Sequence, residues 1–162
     1  MDFVKELGYL TLGTRLKRLG ERLQSQTQVL LDAERTDLPA SYYPILAALD
    51  RLGAANVGEL AEAVGFSQPG VTRMLGKLEG AGLVRSVESV DDRRVRSVEL
   101  SQAGLRLVSK SKRAVWPMIE AAVADACDGQ AKSLLAALSA LEEALSVAPL
   151  SVRAGRLRSR AS

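Results

Sequence analysis

Leucine stripes at helical spacing, short glycine-stopped helical segments mid-chain and a single pair of strand-like segments predict the fold class: mainly α, with a winged helix-turn-helix at the centre and longer helices at both ends. Aromatic residues make up only 4%, while Ala, Leu, Glu and Arg dominate most segments, which favours helix.

Residues 3–31 read as one long helix. Leu12, Leu16, Leu19 and Leu23 step by four, three and four and so share a face, with Val4 and Leu7 before them and Leu30 after. Gly8, Gly13 and Gly20 weaken that pattern. The polar stretch Asp32–Asp37 is a turn, and a second helix runs from Pro39 or Ser41 to Leu52, where Gly53 stops it. Asn56 and Glu59 have the spacing of a reciprocal N-terminal cap, followed by an apolar face of Leu60, Ala61 and Val64. Gly65 ends that helix, and Ser67 caps the next one, which runs to about Glu79 with Val71, Leu75 and Leu78 on its inner face and Met74 beside them. Gly80-Ala81-Gly82 stops it. Leu83–Val90 and Val95–Leu100 are the only strand segments, joined by the turn-forming Asp91-Asp92-Arg93-Arg94.

Ser101 caps a long helix to about Ala126, with a stripe of Leu105, Val108, Val115, Ile119 and Val123 and a kink expected at Pro117, near Trp116. Gly129 breaks the chain. Gln130–Val147 is the last helix, with Leu134, Leu138, Leu141 and Leu145 in register, and Pro149 ends it. No repeat or linker is visible, so residues 1–149 read as one domain, followed by a disordered basic tail from Leu150.

Composition excludes much chemistry. Among 162 residues Cys127 is the only cysteine and there is no histidine, so neither an internal disulfide nor a Cys/His zinc site can form. Histidine-based nucleophilic schemes are excluded for the same reason, and neither a G-x-G-x-x-G nor a P-loop pattern occurs. The sequence therefore predicts no enzyme, no cofactor and no metal. The apolar runs are too short to span a membrane and the first residues mix charges, so no membrane association is expected and the location expected is cytoplasmic. Cys127 reads as a packing residue.

The net charge of +3 and the predominance of arginine, 16 of 22 basic residues, suggest nucleic acid only weakly. Basic clusters lie at Arg15, Lys17, Arg18 and Arg22, at Arg106, Lys110, Lys112 and Arg113, and at Arg153, Arg156, Arg158 and Arg160. Residues 56–101, by contrast, hold six basic and seven acidic groups. Any DNA contact there depends on local arrangement.

That arrangement is present. Gly65-Phe66-Ser67 forms the turn between two short helices, and inward-facing Val71, Leu75 and Leu78 leave Gln68, Pro69, Thr72, Arg73, Gly76 and Lys77 outside. Gln can pair with adenine, Arg with guanine and the Thr methyl with thymine, while Lys77 and the free N–H groups after Ser67 suit phosphate. The turn from Asp91 to Arg94 would reach a neighbouring minor groove.

The string Ser67…Val71-Thr72-Arg73…Leu78-Glu79…Gly82-Leu83-Val84, then Asp92-Arg93-Arg94…Val98-Glu99-Leu100-Ser101…Gly104, resembles the MarR family of bacterial transcription regulators over about 38–108. The resemblance implies a homodimeric, sequence-specific regulator, such as a repressor, that binds double-stranded DNA at a pseudo-palindromic operator. It implies dimerisation through helices at 1–31 and 101–147, a winged lobe at 38–100, Gln68, Thr72 and Arg73 at the DNA face, and a wing-tip Arg94 oriented by Asp92; Ser67, Pro69, Lys77 and Arg93 join them as DNA-contact candidates on the residue chemistry alone. Gly70 and Gly76 depart from the pattern and weaken the recognition helix by about 1 kcal/mol each relative to Ala. Ser101-Gln102 replaces the usual Thr-Glu but still caps.

The resemblance also implies a small aromatic or anionic effector. Tyr42, Tyr43 and Trp116 could line its pocket, with counter-charge from Arg18 or Arg22; equally, they read as core aromatics. The first helix, Leu7 to Leu19, is similar to the N-terminal segment of MarR-like domains fused to acetyltransferases. A winged-helix protein-interaction or regulatory module related to those domains is therefore the alternative reading. No acetyltransferase domain fits in the remaining chain, so acetyl transfer is not expected.

Overall fold

The structure, a computed structural model, describes residues 1–34, 38–88 and 96–161. It is mostly helical with a small antiparallel sheet, and it divides into two compact units, Met1–Pro117 and Met118–Ser162.

The first unit opens with α1 (Phe3–Glu6), a 3-10 turn (Gly8–Thr11) and α2 (Leu12–Ala33). The single helix expected over 3–31 is thus divided. Gly8 takes a left-handed conformation (φ +54°), which ends α1. The turn is fixed by the Thr11 hydroxyl, which donates to the Val4 carbonyl at 2.6 Å. Gly13 and Gly20 stay inside α2, where a single glycine lowers helix stability without breaking the ladder. Of the expected stripe, Leu19 and Leu23 remain exposed and Leu30 is half-buried, while the fully buried residue of α2 is the neighbouring Leu31.

The winged lobe follows: α3 (Tyr43–Leu52), β1 (Ala55–Asn56), α4 (Val57–Val64), α5 (Gln68–Gly80), β2 (Val84–Glu88) and β3 (Arg96–Leu100). The sheet has the order β1-β3-β2, with Val84 opposite Leu100 and Val87 opposite Ser97. β1 was not expected. Two residues are too short for an alternation signal, and Ala55 and Asn56 become a strand only because Val98 and Ser97 offer them a free edge. Ile45, Leu46, Leu49, Leu60, Val71 and Leu78 are almost fully buried and form the centre of the core, closed by Val84, Val98 and Leu100 of the sheet. Truncating a leucine there to alanine costs about 2–5 kcal/mol.

The long helix expected from Ser101 to Ala126 is two helices, α6 (Gln102–Arg113) and α7 (Val115–Ala126), with the break at Ala114 (φ −119°, ψ −78°). Pro117 explains the position: its ring clashes with the carbonyl four residues back, that of Arg113, which is the last residue of α6. The Ser101 hydroxyl accepts from the Gly104 N–H at 3.1 Å and donates to the Gly82 carbonyl at 2.6 Å, so it caps α6 and fastens it to the end of α5. Gly104 is required sterically: a Cβ there would lie 2.1 Å from the Leu83 carbonyl oxygen.

The second unit contains α8 (Ala131–Val147) and α9 (Leu150–Ala161). Residues expected to be a loose tail are therefore helical. Pro149 ends α8, and the Arg153 N–H bonds to the Pro149 carbonyl at 3.1 Å to start α9. Among the described residues no single helix is long and apolar enough to cross a membrane.

Candidate nucleic-acid interface

Two capped helices build the interface. The Asn56 side chain accepts from the Glu59 N–H at 3.0 Å, and the Glu59 carboxylate accepts from the Asn56 N–H at 2.7 Å, which closes both donors at the start of α4. Gly65 ends α4 in the left-handed region (φ +68°, ψ +23°), a geometry that costs glycine little and other residues more. Two residues later the Ser67 hydroxyl accepts from the Gly70 N–H at 3.3 Å and α5 begins, with Pro69 in its first turn.

Val71, Leu75 and Leu78 fix the rotation of α5 by turning into the core. Ser67, Gln68, Pro69, Thr72, Arg73 and Lys77 are all exposed to solvent, outside the strip of α5 that faces the core. The Thr72 hydroxyl donates to the Gln68 carbonyl at 2.9 Å. That back-bond occupies its proton, leaving its methyl as the group for an apolar partner. Among the described residues Arg73 and Lys77 form no ion pair. Asp92, Arg93 and Arg94 lie outside the described residues.

The base of the wing is tied to α5 by residues that the sequence did not single out. Arg96 donates Nε to the Ser86 hydroxyl at 2.6 Å and Nη2 to Glu79 at 3.2 Å, while Ser86 donates to the same Glu79 oxygen at 3.0 Å. The sheet register places Ser86 and Arg96 on adjacent strands, and Glu79 comes from the last turn of α5. No sequence pattern marks such a triad, because its members come from three elements.

Residues 36–95 match the sequence model of the MarR family. The winged helix-turn-helix described above is the part of the chain that carries this match. Among solved structures, the chain is similar to the transcriptional repressor CouR bound to a 23-mer DNA duplex, at 27% identity and a TM-score of 0.69, over 84% of this chain and 96% of that one. It is also similar in fold to the M. tuberculosis regulator MOSR in complex with DNA (23% identity, TM-score 0.71, 85% and 97% covered). A third similar fold is Bordetella bronchiseptica BpsR, whose DNA binding is regulated by 6-hydroxynicotinic acid (22% identity, TM-score 0.67, 83% and 91% covered). A comparison with curated protein sequences gives no match.

The five candidate effector residues are not one cluster in the first unit. Tyr43 of the winged lobe is buried and packs edge-to-face with Trp116, ring centroids 6.3 Å apart at 77°. Its hydroxyl is buried with no hydrogen-bond partner among the described residues. Tyr42 packs partly buried against the same core. Arg18 instead clasps Asp2 through two bonds of 3.1 and 2.7 Å, which lowers the Asp2 carboxyl below its usual range. Arg22 is exposed. Trp116 does line a groove of about 650 Å³ together with Pro44, Ala48, Arg51 and Lys112, but the cations there are Arg51 and Lys112. Lys112 is paired with Asp50 at the groove wall. Those two cations are widely spaced in sequence, which hid them from the sequence reading.

Proposed function

We propose that the chain is a sequence-specific, DNA-binding transcriptional regulator that works as a homodimer on a pseudo-palindromic operator, as a repressor in the cytoplasm, and not as an enzyme. The observation that carries the reading is the solvent exposure of Gln68, Thr72, Arg73 and Lys77 on the capped helix α5. The similarity to DNA-bound CouR supports it.

Gln68, Thr72 and Arg73 read base edges in the major groove. Ser67 and Pro69 start the helix so that its free N–H groups meet a phosphate, and Lys77 neutralises another. Arg94, oriented by Asp92, enters the minor groove with Arg93 beside it. Helices within 1–31 and 101–147 form the dimer, supported by the exposed Leu19, Leu23, Leu134 and Leu145. The two recognition helices then stand about 34 Å apart, one turn of the duplex.

A small aromatic anion releases the DNA. The Trp116 groove offers it an aromatic wall and the Arg51 cation, and the anion competes with Asp50 for Lys112. Lys112 and Trp116 flank the break at Ala114, so a ligand wedged there favours one angle between α6 and α7 over another and shifts the population of DNA-competent dimers. Identical scattering profiles with and without an effector that displaces DNA would remove this mechanism.

Selection of bound sites from random duplexes tests the whole reading. The expected product is a two-fold symmetric motif, and no enrichment overturns it. The near-neutral charge of residues 56–101 favours a second reading, a protein-docking winged helix. It predicts DNA affinity without salt dependence.

A further inference from the structure

On one face of the β2–β3 hairpin, alternate residues belong to the core. Val84 lies opposite Leu100, and both are buried with Val98 in one cluster with Val71, Leu75 and Leu78 of α5. On each strand the next residue outward on that face is polar: Ser86 after Val84, and Arg96 before Val98. β1 pairs with β3 at Val98 and Ser97, so among the described residues Arg96 lies beyond the third strand. The hairpin is two-stranded from there on. A two-stranded ribbon twists more than a wider sheet and is marginally stable by itself. With neither apolar packing nor a third strand, its angle to α5 needs another tie.

That tie is a closed triangle. The Ser86 hydroxyl donates to a Glu79 carboxylate oxygen at 3.0 Å and accepts from Arg96 Nε at 2.6 Å, and Arg96 Nη2 donates to the same Glu79 oxygen at 3.2 Å. Each member bonds to both others, so the two strands and the last turn of α5 are fixed together. By contrast, Arg85 and Glu99, directly opposite each other on the other face, tie strand to strand. The Arg96 side chain is 71% exposed and that of Glu79 47% exposed, and a pair so open to water adds little to stability. What the triangle supplies is an angle.

We infer that Glu79, with Ser86 and Arg96, is a positioning group for DNA recognition. It holds the hairpin at the angle to α5 at which both engage one duplex, and so it raises the preference for the operator without touching a base. This inference rests on the DNA-binding function proposed above.

The test measures dissociation constants of the full chain and of Glu79→Ala, Ser86→Ala and Glu79→Gln for the selected operator and for a scrambled duplex, with denaturant unfolding as the control for fold. Charge and position predict opposite signs: removing a carboxylate tightens binding to a polyanion, whereas removing the tie weakens binding to the operator. The expected result is operator affinity lower by about threefold to thirtyfold in Glu79→Ala and Ser86→Ala, with the scrambled duplex bound at least as tightly as by the parent and the unfolding midpoint unchanged. Glu79→Gln keeps an acceptor oxygen for Ser86 and Arg96 and should keep the parental preference. An unchanged or raised operator preference in Glu79→Ala overturns the inference and leaves the DNA reading standing. Equal loss on both duplexes with a lowered unfolding midpoint makes the triangle a stabilising tie and overturns it too, as does a Glu79→Gln variant that falls as far as Glu79→Ala. A parent chain with no operator preference overturns the DNA reading itself, and the positioning role with it.

Discussion

Arg73 is exposed on α5 with no ion-pair partner among the described residues, so none of them competes with a base edge for its guanidinium. Arg73→Ala should weaken operator binding by about 1–3 kcal/mol and relax base preference at one position of each half-site, measured by gel shift over single-base operator variants. Lys77→Ala should weaken all duplexes evenly. Gly104 concerns stability: Gly104→Ala sets a methyl against the Leu83 carbonyl and should destabilise the fold by about 1–3 kcal/mol in denaturant unfolding. The clasp between Asp2 and Arg18 has a defined pH sign. The folded-state carboxyl is shifted down, so its contribution is present above the ordinary aspartate range and disappears as pH falls through the lowered value. At this scale the sequence was informative about caps and helix faces, because Asn56, Ser67 and Ser101 act on N–H groups three residues away. It was uninformative about Glu79, Ser86 and Arg96, which meet only after the sheet has packed on α5.

Among the elements, the α6–α7 break shows how a local rule acts at a distance. Proline excludes the carbonyl four residues back, so the helix stops at Arg113 and not at the Trp116 that precedes the ring. Pro117→Ala restores the missing N–H. It should join α6 to α7, raise the helical ellipticity and blunt the response of operator binding to any effector, all readable by circular dichroism and gel shift. At the N-terminus, equal composition produced unequal outcomes. Gly8 broke the first helix because its φ is positive, while Gly13 and Gly20 adopted helical geometry and stayed within α2. Sequence alone does not distinguish these glycines, since the backbone state depends on what each flanking segment packs against.

At the scale of the molecule, exposed leucines and uneven charge are the features that a single chain leaves unresolved. Leu19 is 45% exposed and Leu23 37% exposed on one face of α2. Leu19→Asp/Leu23→Asp should convert the dimer to monomer in sedimentation equilibrium and abolish high-affinity operator binding, because one lobe then loses its tethered partner. Winged-helix order was legible because each of its helices carries its own stop and start: Gly53, Asn56, Gly65, Ser67 and Gly82 punctuate segments that each present an apolar face. The helical state of residues 150–161 was not legible, since an arginine-rich stretch after a proline looks like a solvated tail until Arg153 finds the carbonyls of α8.

The amino-acid order by itself determined the helix-turn-helix, the side of α5 that faces outward, and the exclusion of histidine chemistry and of a disulfide within the chain. All of these follow from periodicity, capping or residue inventory, which act within a few positions along the chain. Tertiary structure alone decided the third strand at Ala55–Asn56, the Glu79–Ser86–Arg96 clasp, the pairing of Arg18 with Asp2, and the gathering of Arg51, Lys112 and Trp116 around one groove. Each of these joins groups from separate segments, and no local preference encodes a distance between segments before the core has drawn them together.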